Sequence, residues 1–303
     1  MSAASVRREG VGSPEPVGHA DELRTGQASG VAIVLHDWQP AHAPGGPCVE
    51  MARRYNPAMA RWLAHLVVIT LFVAGIAAAC TRVHPDWNWS GIWDYRQKFV
   101  QGWVTTVGIS LAALVFAMLV GLVVAVMLRS RMALVEAVGR VYVEAIRGTP
   151  LLVQLLIGFY VVASAVGLEN RYVVGVLVLA LFAGAYMAEI FRGGLDAIPA
   201  AQLDSARAIG LTPAQAFRLV VLPQAVRIVL PSIAGQLVSL IKDSSLLSVI
   251  AISEFTLAAQ EVNAFTFSTL ESYLPLAAGY LLLTLPLATL SRWLERRFRY
   301  EAA

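Results

Sequence analysis

The sequence predicts an all-α polytopic membrane protein with about six transmembrane helices. Hydrophobic residues make up 57% of the 303 positions and charged residues only 14%, whereas soluble domains carry about 25% charged residues. Several uncharged runs approach or exceed the roughly 20 residues that a bilayer-spanning helix needs, which makes a soluble α/β fold untenable. One long polar interruption, residues 189–223, divides the apolar C-terminal half.

The first 57 residues differ from the rest of the chain. They hold six prolines with glycines and scattered charges, and their apolar patch, Val31–Leu35, is too short to span a membrane. This composition favours disorder, and no secretory signal pattern is present. An alternative is that Met51 or Met59 is the true start and the tail is upstream sequence. After this tail, residues 58–101 are expected to form an extra N-terminal transmembrane helix and the loop on the outer side of the membrane.

The apolar runs place the spans in order along the chain. The aromatic-rich loop 81–101 after the first run is typical of a membrane–water interface. The main membrane-spanning core is expected at 102–291, followed by a basic tail at 292–303. Pro231 and the polar residues from Lys242 interrupt the fifth span. The expected spans are 62–80, 102–128, 150–167, 172–188, 226–240 resuming at 246–252, and 273–290.

The basic residues orient these spans. Placing both termini, loop 129–149 and segment 190–227 on one side puts 18 of the 23 Lys and Arg there, with four opposite and Lys242 inside a span. By the positive-inside rule the heavy side is the cytoplasm. This topology explains the pI near 9.0 without nucleic acid as a partner.

The polar segment 189–223 predicts two short helices joined by a glycine. Pro199 suits a first helical position, where its missing N–H has no intrahelical partner. The run Ala200–Ile209 is rich in helix-forming residues. Gly210 suits the left-handed residue that ends a helix.

The second short helix has its own start and stop signals. Thr212 is expected as its N-cap, with Pro213 at the first position and Gln215 closing a capping box. Pro223 is expected to resist continuation of this helix. The pair would present a rigid, charged knob on the cytoplasmic side.

Four ordered blocks carry a resemblance to a known family. The pattern Asp204-Ser205-Ala206, three residues, Gly210, nine residues and Val220-Val221-Leu222-Pro223 resembles the EAA loop of ABC-importer permeases. That family has EAA, three residues, G, nine residues and I-x-LP. Here Asp204-Ser205 replace Glu-Ala, and Ala201 replaces a Gly. Blocks similar to the polar-amino-acid branch are EAIRGTPLLVQ from 144, AYMAEIFRGGLDAIP from 185, LPQAVRIVLP from 222 and KDSSLLSVI from 242.

The resemblance covers roughly residues 100 to 300 and implies the permease subunit of an ABC importer for polar amino acids in the bacterial inner membrane. It implies three partners besides membrane lipid: a cytoplasmic ABC ATPase dimer, a second permease copy or sister permease, and a periplasmic or lipid-anchored solute-binding protein. It also implies a cytoplasmic helix–Gly–helix coupling loop. The implied ATPase-coupling residues are Asp204, Ser205, Ala206, Gly210, Leu222 and Pro223.

The sequence contains no catalytic set of its own. A P-loop needs a lysine that follows a glycine, but Lys98 and Lys242, the two lysines, follow Gln97 and Ile241. No zinc-protease or serine-hydrolase motif appears, and two cysteines fit no metal spacing. We therefore expect no enzyme activity, no metal site and no cofactor bound by this chain, with ATP and Mg on the partner ATPase.

Polar residues inside the fifth span predict a substrate pathway. Ionisable residues within spans are costly and face a bundle interior or a wet path, and broken helices with polar groups are where transporters bind substrate. A carboxylate there would suit a cationic or zwitterionic solute. Structural polar packing, including a Lys242–Asp243 pair, is the alternative. The predicted pathway residues are Lys242, Asp243, Ser244, Ser245 and Glu254.

Two charge pairs flank the third and fourth spans. Glu144 and Arg147 lie three residues apart, as do Glu189 and Arg192, so simple pairing on one helix face is the first expectation for each. The resemblance adds a role in shaping a cytoplasmic gate. The predicted gate or structural residues are Arg147, Gly148, Thr149, Pro150 and Glu189.

Two other function classes stay open on the sequence alone. A self-contained, ion-coupled secondary transporter would use Lys242, Asp243 or Glu254 to bind or titrate the ion, and it would need no ATPase. An ABC-coupled sensor would bind the ATPase without taking up solute. A neighbouring gene for a P-loop ATPase separates the first of these from an ABC importer.

Overall fold

The computed structural model describes residues 57–83 and 89–298, and all regular elements within these ranges are helical. The predicted tail before Pro57 lies outside the described residues. The helices are α1 Pro57–Val83, α2 Ser90–Asp94, α3 Arg96–Leu128, α4 Ala133–Gly148, α5 Leu151–Ile157, α6 Arg171–Asp196, α7 Ala200–Ala208, α8 Pro213–Ala216, α9 Leu222–Asp243, α10 Phe255–Thr266 and α11 Thr269–Phe298. Non-α segments are the π-helical Gly158–Ala163 and Phe217–Val221 and the 3-10 helix Ser244–Ile250.

The chain forms two compact units, Met1–Gly75 and Ile76–Ala303. In the first unit the structure describes residues 57–75, which belong to α1. The predicted first span, 62–80, lies within α1. The second unit holds α2 to α11.

Long apolar helices dominate the second unit. Four are long and apolar enough to cross a membrane: α3, α6, α11 and the continuous helix Pro213–Ile250. A fifth candidate is α4 together with α5 and its π-helical extension, bent by 109°. The apolar stretch of α1, Trp62–Gly75, is shorter. The predicted multi-span helical class is thus confirmed, with four to five spans in the described residues and the sixth left as a prediction.

Helix α4 occupies most of what was predicted as the loop 129–149. Its residues Gly139 and Val143 are buried, while the apolar side chains of Leu134, Val138 and Val141 are exposed. The chain turns sharply after it because Pro150 excludes the α conformation from the residue before it. Thr149 accordingly has φ −120° and ψ 146°.

The prediction that Pro223 ends the hairpin's second helix is wrong. The helix continues from Pro213 to Ile250, and Pro223 is the second residue of α9. The π-helical turn Phe217–Val221 comes directly before α9. A proline costs most where its ring meets the carbonyl four residues back and its missing N–H leaves that carbonyl unbonded. A widened turn changes this register, so the helix accommodates the proline.

Two further stretches are more helical than expected. Within the predicted outer loop 81–101, α2 forms at Ser90 and α3 begins at Arg96. Between the last two spans the sequence analysis had no helix, but α10 forms there. The predicted break near Lys242 takes the form of a change from α-helix to 3-10 helix at Ser244.

Small residues let α3 and α6 pack closely. Ala113 and Ala117 of α3 and Ala183 of α6 are fully buried in a cluster with Met187. Close backbone approach through Gly and Ala is the usual way that membrane helices associate. At Gly121 the approach is closest, because a Cβ there would lie 3.0 Å from the backbone N of Ala188 and would overlap Met187.

We predict that Gly121→Ala destabilises the α3–α6 pair. The new methyl group meets backbone atoms that cannot move aside, so the free energy of unfolding should fall by about 1–3 kcal/mol. Thermal unfolding of the purified protein in detergent measures the loss. Gly108→Ala, on the same helix, is the control, because its Cβ meets nothing within 4 Å and alanine favours a helix. Equal midpoints for both variants would contradict tight packing at Gly121.

Candidate functional site

Gly210 reverses the chain between α7 and α8. Its φ is +83°, in the region that glycine adopts without a Cβ penalty. The Gly210 N–H donates to the Arg207 carbonyl at 2.9 Å, and the Leu211 N–H donates to the Ala206 carbonyl at 3.1 Å. These two bonds form a Schellman motif, which satisfies the carbonyls at a helix end. The predicted left-handed glycine is confirmed.

The second helix starts with the predicted capping box. The Gln215 N–H donates to the Thr212 hydroxyl at 3.4 Å, and the Gln215 side-chain oxygen accepts from the Thr212 N–H at 2.9 Å. Pro213 stands at the first helical position as expected. At the other end, Pro199 is the N-cap of α7 rather than its first residue, and α7 ends at Ala208. We call residues 199–223 the hairpin.

Two contacts fasten the hairpin to the start of α9. The side-chain N–H of Gln224 donates to the side-chain oxygen of Gln202 at 2.6 Å and to the Val220 carbonyl at 2.9 Å. An apolar cluster lies beneath, so the hairpin cannot swing freely on its glycine. The cluster consists of the buried residues Ile198, Val221 and Ala225, packed against Leu195, Leu203 and Ile228.

The outer surface of the hairpin combines charge with exposed apolar groups. Asp204 forms an exposed ion pair with Arg207 at 3.2 Å, Ser205 is exposed and Ala206 is buried. Ile209 is 78% exposed at the turn. Leu222 and Pro223 are also exposed. A concavity of about 430 Å³ is lined by Ala201, Gln202, Ser205, Ala206, Ile209 and Val220.

Lys242 and Asp243 line a second cavity, here called the Lys242 cavity, of about 280 Å³. The two side chains face it without an ion pair between them in the part of the chain that the structure describes. The Lys242–Asp243 ion pair, which was the structural alternative, is therefore not formed. The other lining residues are Phe182 and Tyr186 of α6 and Gln236 and Ser239 of α9.

The other predicted pathway residues on this helix face their own backbone. The Ser244 hydroxyl donates to the Ile241 carbonyl at 2.8 Å, and the Ser245 hydroxyl donates to the Lys242 carbonyl at 2.7 Å. Ser244 is fully buried. These bonds satisfy carbonyls where the α-helix gives way to the 3-10 helix. Whether either serine borders a pathway stays a prediction.

Glu254 caps α10 from a fully buried position. Its two carboxylate oxygens accept from the backbone N–H groups of Thr256 and Leu257, each at 2.8 Å. The Tyr280 hydroxyl donates to the same carboxylate at 3.2 Å, and the Thr106 hydroxyl, which lies 3.5 Å from it, accepts from the Phe255 N–H at 3.1 Å. Glu254 thus joins α3, α10 and α11, and a pathway role for it stays a prediction.

Arg147 pairs with a different helix than the sequence suggested. Its guanidinium lies 3.6 Å from the Glu189 carboxylate of α6, and the described residues show no Glu144–Arg147 ion pair. Arg192 does pair with Glu189, at 2.8 Å and 3.3 Å, as predicted. At the bend, the Gln154 side chain donates to the Ile146 carbonyl at 2.7 Å and to the Thr149 hydroxyl at 2.8 Å. These bonds hold the Gly148–Pro150 turn.

Sequence reasoning missed several residues of these sites. Phe182 and Tyr186 lie four positions apart on α6, within the apolar run 172–188 that predicts only a span. Gln236, Ser239 and Asp243 are spaced at three and four residues, which places them on one helix face. That polar spacing was a signal in the sequence. Residues 57–83 and 89–298 contain no group of three or more His, Cys, Asp or Glu that could hold a metal ion.

Comparisons with known proteins find relatives that match most of the second unit, Ile76–Ala303. The sequence model of a family described as "Binding-protein-dependent transport system inner membrane component" matches residues 117–300. A glutamine transport system permease protein of Escherichia coli (strain K12) is 33% identical over 71% of this chain and 99% of its own length. A probable glutamine ABC transporter permease protein of Bacillus subtilis (strain 168) is 31% identical over 69% of this chain and 97% of its own length.

Other relatives and solved structures agree in class. An L-cystine transport system permease protein of Bacillus subtilis (strain 168) is 35% identical over 65% of this chain and 85% of its own length. A crystal structure titled as an amino acid ABC transporter with histidines matches with a TM-score of 0.65 and 34% identity, covering 70% of this chain and 99% of that one. An inward-facing methionine ABC transporter shares the fold, with a TM-score of 0.55 at 18% identity, over 67% of this chain and 95% of that one.

We predict that Glu254→Ala lowers stability through loss of the α10 cap. Removing the carboxylate leaves two backbone N–H groups without partners, and a lost N-cap costs about 0.5–2 kcal/mol. Thermal unfolding in detergent measures the change. Glu169→Ala is the control, because Glu169 is an exposed carboxylate in the short α5–α6 connection. An unchanged midpoint for Glu254→Ala would show that the buried cap is not needed.

Proposed function

This chain belongs to the family of binding-protein-dependent transport system inner membrane components, and we propose that it is the permease of an ABC importer for polar amino acids. The observation that carries the proposal is the hairpin. It is capped at both internal ends, fastened to α9 through Gln202 and Gln224, and continuous with a membrane-spanning helix. A rigid element of this kind can pass a displacement from a docked partner to the spans.

The partner that fits the hairpin is a separate cytoplasmic ABC ATPase dimer. This chain has no P-loop lysine, as its two lysines follow Gln97 and Ile241, so the motor is expected on another chain. The concavity beside Ser205 and the exposed Ile209 offer an apolar surface to that motor, and Asp204 with Arg207 offers charge. ATP and Mg would bind the ATPase rather than this permease.

The Lys242 cavity supports a zwitterionic substrate. Lys242 and Asp243 both line this cavity and form no ion pair with each other among the described residues, which complements a molecule carrying both a carboxylate and an ammonium group. The relatives' names mention glutamine and cystine, which are polar amino acids of this type. Polar amino acids are therefore the substrate class we propose.

The assembly would contain two permeases, two ATPase subunits and a periplasmic or lipid-anchored solute-binding protein. Both termini of this chain would be cytoplasmic, on the side that holds most of the arginines, in accordance with the positive-inside rule. Transport would proceed by alternating access. Closure of the ATPase pair moves the hairpins, and the spans open the pathway outward to receive substrate from the binding protein.

The proposal is tested by reconstituting the chain with the P-loop ATPase and solute-binding protein encoded beside it. Uptake of labelled L-glutamine, L-arginine and L-cystine is then measured in proteoliposomes with and without ATP. ATP-dependent uptake of at least one supports the proposal. Uptake driven by an ion gradient without the ATPase would indicate a secondary transporter instead, and ATPase binding without any uptake would indicate a sensor.

We predict that Gly210→Val releases the ATPase while leaving membrane insertion normal. A β-branched residue at φ +83° meets a steric cost of about 1–2 kcal/mol, so the turn must distort. The six expected spans do not depend on this turn for their burial. Co-purification of the ATPase should be lost, and uptake with it.

Gly167→Val is the matched control for this variant. Gly167 has φ +69° and open space around its Cβ position, so it carries the same backbone strain at the α5–α6 connection. It should retain the ATPase. An intact complex with normal uptake for Gly210→Val would show that the hairpin is not the docking element.

We predict that Asp243→Asn weakens substrate binding. Loss of one charge-assisted hydrogen bond is worth about 1.5–3 kcal/mol, so the KM for uptake should rise roughly tenfold or more while folded yield holds. Asp94→Asn makes the same chemical change at an exposed position of α2 and should leave KM unaltered. If Asp243→Asn instead lowers folded yield while uptake per molecule is unchanged, Asp243 is a packing residue.

A further inference from the structure

Tyr186 takes part in two features of the structure. It lines the Lys242 cavity together with Lys242 and Asp243. The Arg147 guanidinium carbon lies 5.4 Å from the Tyr186 ring centroid. An arginine over an aromatic face is attracted by the ring quadrupole. The position of Arg147 therefore bears directly on one wall of the cavity.

Arg147 is held in turn by α6. Its guanidinium lies 3.6 Å from the Glu189 carboxylate, which also accepts two hydrogen bonds from Arg192. Glu189 lies three residues beyond Tyr186, so the ring and the carboxylate occupy neighbouring positions on one helix face. Arg147 thus bridges both groups from α4, immediately before the bend at Pro150.

The ion pairs continue to the base of the hairpin. Arg192 lies 3.5 Å from the Asp196 carboxylate, and Arg129 at the end of α3 lies 2.6 Å from it. Asp196 is the last residue of α6, two positions before Ile198 in the buried cluster that fastens the hairpin. These ion pairs form one connected line from the cavity wall to the hairpin, here called the ion-pair chain. Its members, in order of contact, are Arg147, Glu189, Arg192, Asp196 and Arg129.

The ion-pair chain adds little to the stability of the fold, and its members can exchange partners. Its side chains are 30 to 51% exposed, and pairs in such surroundings add little to folding because water screens them. Arginine suits the junction, since its planar group can bond a carboxylate at its edge while its face lies on an aromatic ring.

We propose that Arg147 is a positioning residue, which sets the Tyr186 ring in the wall of the Lys242 cavity according to the state of the ion-pair chain at the hairpin base. The proposal rests on the transport function proposed above. Displacement of the hairpin moves Asp196, the pairing of Arg192 and Glu189 shifts, and Arg147 draws or releases the Tyr186 ring. In this way the ion-pair chain couples the ATPase at the hairpin to the Lys242 cavity.

The test is a double-mutant cycle in the reconstituted complex. Arg147→Gln and Glu189→Gln should each keep ATPase association and ATP hydrolysis, yet lower amino-acid uptake per ATP hydrolysed by about fivefold or more, the usual size of coupling between sites. Because both residues belong to the same line of contacts between the hairpin base and Tyr186, the double variant should be no worse than either single one. Uptake is measured with whichever of L-glutamine, L-arginine and L-cystine the wild type transports.

Two further variants separate positioning from folding. Arg140→Gln removes another arginine of α4, one that pairs with Glu136 on its own helix, and uptake per ATP should match the wild type. Tyr186→Leu removes the ring and should reproduce the effect of Arg147→Gln, with ATP hydrolysis retained and uptake per ATP lowered.

The outcomes are distinguishable from failure of the proposed function, which would appear as no ATP-dependent uptake by the wild type. The proposal would be overturned if the double variant lost uptake per ATP by the product of the losses in Arg147→Gln and Glu189→Gln. So would a parallel fall in uptake and ATP hydrolysis, or normal transport by Tyr186→Leu, because each would leave Arg147 as a structural residue only. If Arg147→Gln fails to fold, Glu189→Gln and Tyr186→Leu decide.

Discussion

The requirement that backbone N–H and C=O groups find partners inside the protein governs this structure, because lipid offers none. The chain leaves α-helical geometry where side chains can supply those partners. At the change to a 3-10 helix, the hydroxyls of Ser244, Ser245 and Ser248 each donate to the carbonyl three residues earlier. Where α10 begins inside the protein, the Glu254 carboxylate takes two N–H groups. Polar residues in the apolar half therefore first serve the backbone.

This requirement divides the polar residues that looked alike in the sequence. The serines and Glu254 are occupied by backbone groups, whereas Lys242 and Asp243 keep their charged ends at a cavity that also receives Gln236 and Ser239. Hydroxyl groups are short enough to reach back to their own helix, which is why serine can satisfy a carbonyl locally. The side chains of Lys242 and Asp243 line the cavity instead, where their functional groups can meet a solute.

The sequence predicted best where the physics is local. The turn at Gly210 and the capping box of Thr212 and Gln215 depend on residues within four positions, and both formed as expected. Pro223 misled because a π-helical turn before it relieved its clash, and that turn depends on packing around Val221. The partner of Arg147 could not be read from spacing either, since α4 approaches α6 only after the bend at Pro150.

The hairpin and the ion-pair chain use opposite kinds of interaction, and this contrast suits a transport cycle. A buried apolar cluster resists deformation because interiors are packed close to crystal density, so the hairpin moves as a unit when its base is pushed. Half-exposed ion pairs exchange partners at small cost, because water compensates for each one lost. Asp196 lies where the apolar cluster and the ion pairs meet. It is two residues from Ile198 of the cluster, and its carboxylate contacts both Arg192 and Arg129. We expect that a rigid hairpin joined to exchangeable ion pairs can displace the ends of α3, α4 and α6 that carry Arg129, Arg147 and Asp196 without unfolding any of these helices.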